Sequence, residues 1–270
     1  MSHFVYIIAE GVHDVAFLGK LLHVGFGATR IETMEELDEA RRIWMGSFKW
    51  PLTGGEKTMI KRLAVPAPVF YKLTAGTLIA LRNAEGLSNM RNMLERDLES
   101  FRRDENVPDT IGVILDSDTE PAEQRFQKLA ATLPDLELAV PQRLGHVAGS
   151  APRVGVFALP APGVAGTLED ILLSLGEVAY PELSVAARSY VEQWRTTPVT
   201  SMNTRDRREL EKPAGPMKAR LSAMAAVLKP GKPMLASLDD NGWVSEATMT
   251  APKLQPCLSF LHALLGTAPT

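Results

Sequence analysis

Short, nearly uninterrupted apolar runs and longer stretches of helical period alternate along the chain. Phe4 to Ala9 is apolar or aromatic throughout, and nothing in it alternates with period two. That pattern predicts an interior strand buried on both faces. The run stops at Glu10, Gly11 supplies a turn, and Val15, Leu18 and Leu22 then recur at helical spacing with Asp14 in the first turn. The same grammar returns in "TIGVILDSD", where Ile111, Val113, Ile114 and Leu115 lead straight into Asp116 and Asp118. It returns again in "RVGVFALPAPG", a strand closed by Pro160 and Pro162. A helix then starts at Thr167, with Asp170 placed to complete a capping box.

Between these units, "APVFYKLTAGTLIALRNAEG" predicts a hairpin turning near Ala75 and Gly76. Residues 87–103 predict an amphipathic helix with Leu87, Met90, Leu94, Leu98 and Phe101 on one face. Residues 30–66 have no clear period. Their stretch "ETMEELDEARRIWMGSFKWPLTGGEK" passes from acidic to basic and ends in an expected loop. The C-terminal part is helical, with Met217, Leu221, Met224 and Leu228 on one stripe and Phe260, Leu261, Leu264 and Leu265 near the end. No internal repeat and no low-complexity segment is evident. Interior strands alternating with amphipathic helices predict an α/β fold, a mainly parallel sheet flanked by helices.

Composition adds little to the chemistry but removes some classes. The 270 residues are 45% hydrophobic and 23% charged, which excludes a disordered chain and suits one sizeable core. The formal charge of −3 leaves no global basic field, so contact with nucleic acid has to come from a local patch. A single cysteine, Cys257, forbids an internal disulfide and suits a reducing compartment. No apolar run approaches the roughly 20 residues that span a bilayer, and the N-terminus lacks the marks of a secretory signal. These features predict a cytoplasmic protein with no membrane partner.

The acids behind the strands carry the candidate chemistry. Glu10, Asp14, Asp116, Asp118, Glu169 and Asp170 would repel one another if gathered at one sheet edge, and a divalent cation offsets that repulsion. Mg²⁺ (or Mn²⁺) takes hard oxygen ligands and commonly combines a few carboxylates with substrate phosphate. The acids therefore point to phosphoryl-transfer chemistry. Each residue also has an ordinary structural role. A lone D-x-D is often a solvated turn, Glu10 suits an arginine partner, Asp14 suits a helix first turn, and Glu169 with Asp170 suits an N-terminal cap. His13 is expected to be an exposed helix residue. His23, His146 and Cys257 show no ligand spacing.

Three stretches in order, "AEGVHD", "LDSD" and "GTLED", resemble the Toprim domain shared by topoisomerases, primases and OLD-type nucleases. The likeness spans residues 4–176 and is nearest to OLD-type nucleases and to stand-alone bacterial Toprim proteins of unassigned function. It implies a Toprim-like Rossmannoid fold over residues 1–180, with an insertion over about 30–105 and a mainly helical region, 181–270, packing on it. Glu10 matches the first-strand glutamate, Asp14 the following acid, Asp116 and Asp118 the D-x-D pair, and Glu169 the later acid of the OLD-type pattern. OLD-type nucleases also carry a fused ATPase. This chain has no G-x-x-x-x-G-K-[ST] loop, so any ATPase would be a separate partner.

The basic segment "TRDRRELEKPAGPMKARL" contains Arg205, Arg207, Arg208 and Lys218, diluted by Asp206, Glu209 and Glu211. A solvated helix face is its ordinary explanation, and phosphate grip is the functional one. Lys218 corresponds by order to the lysine that OLD-type enzymes place after the acids. Together these features lead us to expect a Mg²⁺-dependent nuclease or phosphoryl-transfer enzyme acting on DNA or RNA, in phage defence or nucleic-acid processing. Glu10 and Lys218 are the expected catalytic residues, and Asp14, Asp116, Asp118, Glu169 and Asp170 the expected metal ligands. Arg205, Arg207 and Arg208 are the expected nucleic-acid contacts. The alternative is a non-catalytic nucleotide-binding or regulatory module that works with a partner ATPase, and a homo-oligomer suits either.

Overall fold

The computed structural model of the chain describes residues 3–46, 68–117, 121–196 and 203–268. The expected loop within 47–66 lies outside them, as does Asp118. Among the described residues, β1 (Phe4–Ala9), β2 (Thr29–Arg30), β3 (Val69–Lys72), β4 (Leu78–Asn83), β5 (Thr110–Asp116), β6 (Val147–Ala148) and β7 (Arg153–Leu159) form one sheet in the order β2-β3-β4-β1-β5-β7-β6. The four central strands β4, β1, β5 and β7 run parallel, and β2, β3 and β6 extend the edges antiparallel. The fold is α/β with a mostly parallel sheet. The hairpin expected near Gly76 is β3 and β4, and its second strand enters the sheet beside β1.

The unbroken apolar runs have a simple cause. Val5, Ile7 and Ala9 face one core together with Ile114, Phe157 and Leu159, while Phe4, Tyr6 and Ile8 face a second core with Val113, Leu115 and Val156. Period two is present, but both faces are buried, so both sets must be apolar. The first core is covered by α1 (Val12–Phe26), α5 (Leu168–Ala179), α8 (Gly215–Leu228), α9 (Met234–Asp240) and α10 (Gln255–Leu265). The second is covered by α2 (Glu39–Gly46), α3 (Leu87–Arg103) and α4 (Ala122–Ala130). The C-terminal helices thus complete one face of the sheet. Gly112 and Gly155 pair in register under α10, where an added Cβ would lie 2.6 Å from Leu264 Cδ2 or 2.9 Å from Phe260 Cε2. Glycine at these positions lets α10 lie close against β5 and β7.

Three elements are pinned just beneath the carboxyl edge. Asp97 of α3 accepts hydrogen bonds from Tyr6 Oη of β1 at 2.8 Å and from Arg82 Nε of β4 at 3.2 Å. All three side chains are buried. Burial raises the pKa of Asp97, and the adjacent Arg82 guanidinium opposes that rise. The arrangement fixes the end of β4 against β1, where the chain next turns toward the candidate site. No helix among the described residues is long and apolar enough to cross a membrane.

Candidate functional site

From β1 the chain runs to the edge strand β2, returns through β3 to β4 on one side of β1, and then crosses to β5 on the other, so β1 is the point where the strand order reverses. In open α/β sheets, ligands bind outside the carboxyl ends of the strands at such a point. A cleft of about 430 Å³ opens there, lined by Glu10, His13, Asp14, Glu85, Asp116, Glu169 and Lys218 among others.

Each acid is placed by a local device. Asp14 is the N3 residue of α1, and its Oδ2 accepts the Gly11 N–H at 2.7 Å. It caps its helix and also lines the cleft, with only 5% of its surface exposed. Glu10 Oε2 accepts the Asp116 N–H at 3.3 Å and lies 3.6 Å from Arg125 Nη1. Arg125, on α4, also donates to the Asp116 carbonyl at 2.9 Å. The arginine partner and the cleft position of Glu10 therefore coexist. Asp116 ends β5, and its Oδ1 accepts the Leu168 N–H at the start of α5 at 3.1 Å. Glu169, the next residue of α5, lies 3.7 Å from Lys218 Nζ in the first turn of α8.

Asp116 registers the electrostatics of this gathering. Burial, followed by the nearby charges of Asp14, Glu10 and Glu169, pushes its pKa up from 3.8 to about 9, and the Leu168 N–H opposes the rise. His13 feels the other side of the cleft. Partial desolvation at the cleft wall lowers its pKa, opposed by Glu169 and helped by Lys218, although the residue stays more than a third open to solvent.

Several sequence expectations need correction. Asp170 is turned to its own helix, where its Oδ2 accepts the Thr167 N–H at 3.0 Å, and it does not line the cleft. His13 is surface-exposed as expected, but it stands on the cleft wall. Arg207 lines a neighbouring groove and pairs with Glu211 at 3.4 Å, whereas the exposed Arg205 and Arg208 line neither the cleft nor that groove. Arg205, Arg207 and Arg208 all lie on α7 (Thr204–Glu211), whose turns aim successive residues in different directions.

Glu85 and Arg125 were not anticipated. Glu85 follows β4 in a left-handed conformation with φ 59°, its N–H held by Asn83 Oδ1 at 2.9 Å. The next residue, Gly86, has φ 110° and donates its N–H to the Glu10 carbonyl at 2.9 Å. A signal was present. "AEG" occurs at 9–11 and again at 84–86, each time between a strand and a helix, and the two strands are parallel neighbours.

The donor set suits a hard divalent cation, since the acids supply carboxylate oxygens and the cleft holds no thiol. Among the described residues, no three His, Cys, Asp or Glu side chains are already drawn together as one ligand set. Glu10, Asp14, Asp116 and Glu169 nevertheless all line the one cleft. Mg²⁺ needs no larger preformed set, because it commonly binds through one or two carboxylates with water and substrate phosphate completing its shell.

The crystal structure of hypothetical protein PH0156 from Pyrococcus horikoshii OT3 is similar over 97% of this chain and 95% of that one, with a TM-score of 0.55 and 13% identity. At that identity the likeness is one of fold alone. No curated protein matches the chain. A family model described as "Protein of unknown function (DUF3226)" matches residues 5–266, and the chain therefore belongs to the DUF3226 family.

Proposed function

We propose that the protein is a Mg²⁺- or Mn²⁺-dependent enzyme of Toprim type that cleaves phosphodiester bonds in nucleic acid. The supporting observation is the gathering of Glu10, Asp14, Asp116 and Glu169 in one cleft at the carboxyl ends of parallel strands, where burial and then the neighbouring carboxylates push the Asp116 pKa to about 9. Asp14, Asp116 and Glu169 would hold the ion. Bound there, it would neutralise the charge of the phosphoryl oxygens. Glu10 accepts the proton of the attacking water. Arg125 and the Asp116 N–H keep its carboxylate aimed at the cleft. Lys218, with 63% of its side chain exposed, reaches from α8 to Glu169 and stabilises charge on the departing oxygen.

The alternative is a regulatory module that binds a nucleotide or a partner ATPase without cleaving. The separating experiment incubates the protein with single- and double-stranded DNA and RNA in Mg²⁺, Mn²⁺ or EDTA. The enzyme reading expects metal-dependent cleavage of at least one substrate. It also expects Lys218→Ala to slow turnover by roughly 10- to 100-fold, less than the 10² to 10³ of a buried oxyanion donor. Unchanged turnover in that variant would detach Lys218 from the chemistry. No cleavage in any arm would leave the regulatory reading.

A further inference from the structure

A second groove of about 600 Å³ lies among α6 (Pro181–Thr196), α7 and α8. One wall is aromatic. Tyr190 and Trp194 stand one helical turn apart on α6, their rings edge to face with centroids 6.4 Å apart. Tyr190 is 57% exposed, although Ala187 and Val191 of the same helix are buried in the core. The groove is also lined by cations, Arg207, Lys212 and Lys218. Two of these have partners close by in sequence. Arg207 lies 3.4 Å from Glu211, and Lys212 lies 2.6 Å from Glu209, which also lines the groove. Such exposed pairs contribute little and exchange readily for another anion. Lys218 lines both this groove and the acidic cleft, so the two adjoin at that side chain.

The exposed Tyr190 ring and the half-buried Trp194 ring, both on the groove wall beside a track of cations, match an unpaired nucleic-acid strand. Bases stack on rings whatever their identity, and phosphates meet the cations. A duplex keeps its base faces stacked on one another and has none to offer. We propose that the α6–α8 groove is a binding subsite for single-stranded nucleic acid, where bases stack on Tyr190 and Trp194 and the backbone passes Arg207, Lys212 and Lys218 toward the acidic cleft. The direction of that path rests on the phosphodiester reading of the cleft. The stacking itself does not.

The test measures anisotropy of a labelled short oligothymidylate with the full chain in EDTA, where metal and cleavage play no part. The strand should bind more tightly than a blunt duplex and more tightly than an abasic strand of equal length. Trp194→Ala and Tyr190→Ala should each lower affinity by about tenfold, within the range for one lost base stack. Trp194→Phe, which keeps a ring, should restore most of it. Three cations at about 0.7 each give an expected slope near −2 for log affinity against log salt. Equal binding of thymidylate and abasic strands, equal binding of the duplex, or an unaffected Trp194→Ala variant that melts like wild type would each overturn the proposal. Dimerisation abolished by Trp194→Ala, with oligonucleotide affinity unchanged, would assign the groove to a second copy and also overturn it. Cleavage of bis(4-nitrophenyl) phosphate with Mn²⁺ reads the cleft separately, since that small diester needs no stacked strand. Its absence beside intact, stacking-dependent oligonucleotide binding would discard the phosphodiester reading and support the groove.

Discussion

Asp116→Asn should make the metal-free protein more stable while lowering metal-dependent turnover by about a thousandfold or more, the scale of losing one member of a set of groups that act as a unit. The variant keeps the shape of the side chain, and its Oδ1 still accepts the Leu168 N–H that Asp116 accepts at 3.1 Å. It removes the group on which burial and the charges of Asp14, Glu10 and Glu169 converge. In the unfolded chain Asp116 releases its proton near the ordinary value of 3.8, whereas in the fold it holds the proton up to about 9. A raised folded-state pKa means that stability is fully present below the lower value and is lost as pH rises through the window to the upper one. One proton limits the slope to about 1.4 kcal/mol per pH unit.

The stability gap between Asp116→Asn and wild type should therefore open as pH rises from about 4 to about 9. Each kcal/mol in that gap corresponds to roughly 2–4 °C in Tm. Mg²⁺ should raise the wild-type Tm and leave the variant unmoved, since a ligand stabilises only the state that binds it. Melting curves across pH, with Mg²⁺ and with EDTA, check both claims. A variant less stable than wild type in EDTA at every pH would return Asp116 to the role of a simple cap for α5.

Glu10→Gln is expected to lower turnover by roughly 10² to 10⁴, the range for losing a proton-transfer group, with nucleic-acid affinity preserved. A glutamine oxygen still accepts the Asp116 N–H and still faces Arg125, so the strand ends stay in place. What is lost is a group able to take a proton. Single-turnover cleavage and equilibrium binding on the same preparation separate the two effects. Equal cleavage by wild type and variant would trace the activity to a contaminating nuclease.

The parts of the fold that were legible are those where burial dictates composition. β1, β5 and β7 are enclosed on both faces, so they are apolar throughout and their ends are marked by the acids that follow. α3 was legible because one face meets the second core and the other meets water. β2 and β6 have two residues each, too few to show any period. Glu10 and Asp116 sit at their strand ends, where the eye looks for ligands. Glu85 escaped notice because a left-handed turn carries it into the cleft two residues after β4 ends. Arg125 reaches Glu10 and the Asp116 carbonyl only through the packing of α4 against the sheet, which no local pattern reveals. Asp170 shows the opposite error, since one capping sequence serves both Asp14 and Asp170 and only the fold decides which of them also faces the cleft.

The gathered carboxylates are the centre of this account, and locating a cation tests them most directly. Crystals soaked in Mn²⁺ and measured for anomalous scattering should show a peak in the cleft, within about 2–2.5 Å of an Asp116 oxygen and of an oxygen from Asp14 or Glu169. The same soak of Asp116→Asn crystals should leave that position without a peak. Manganese bound elsewhere while the wild-type cleft shows none, or a cleft peak that persists in Asp116→Asn, would contradict the assignment of these acids as a metal site.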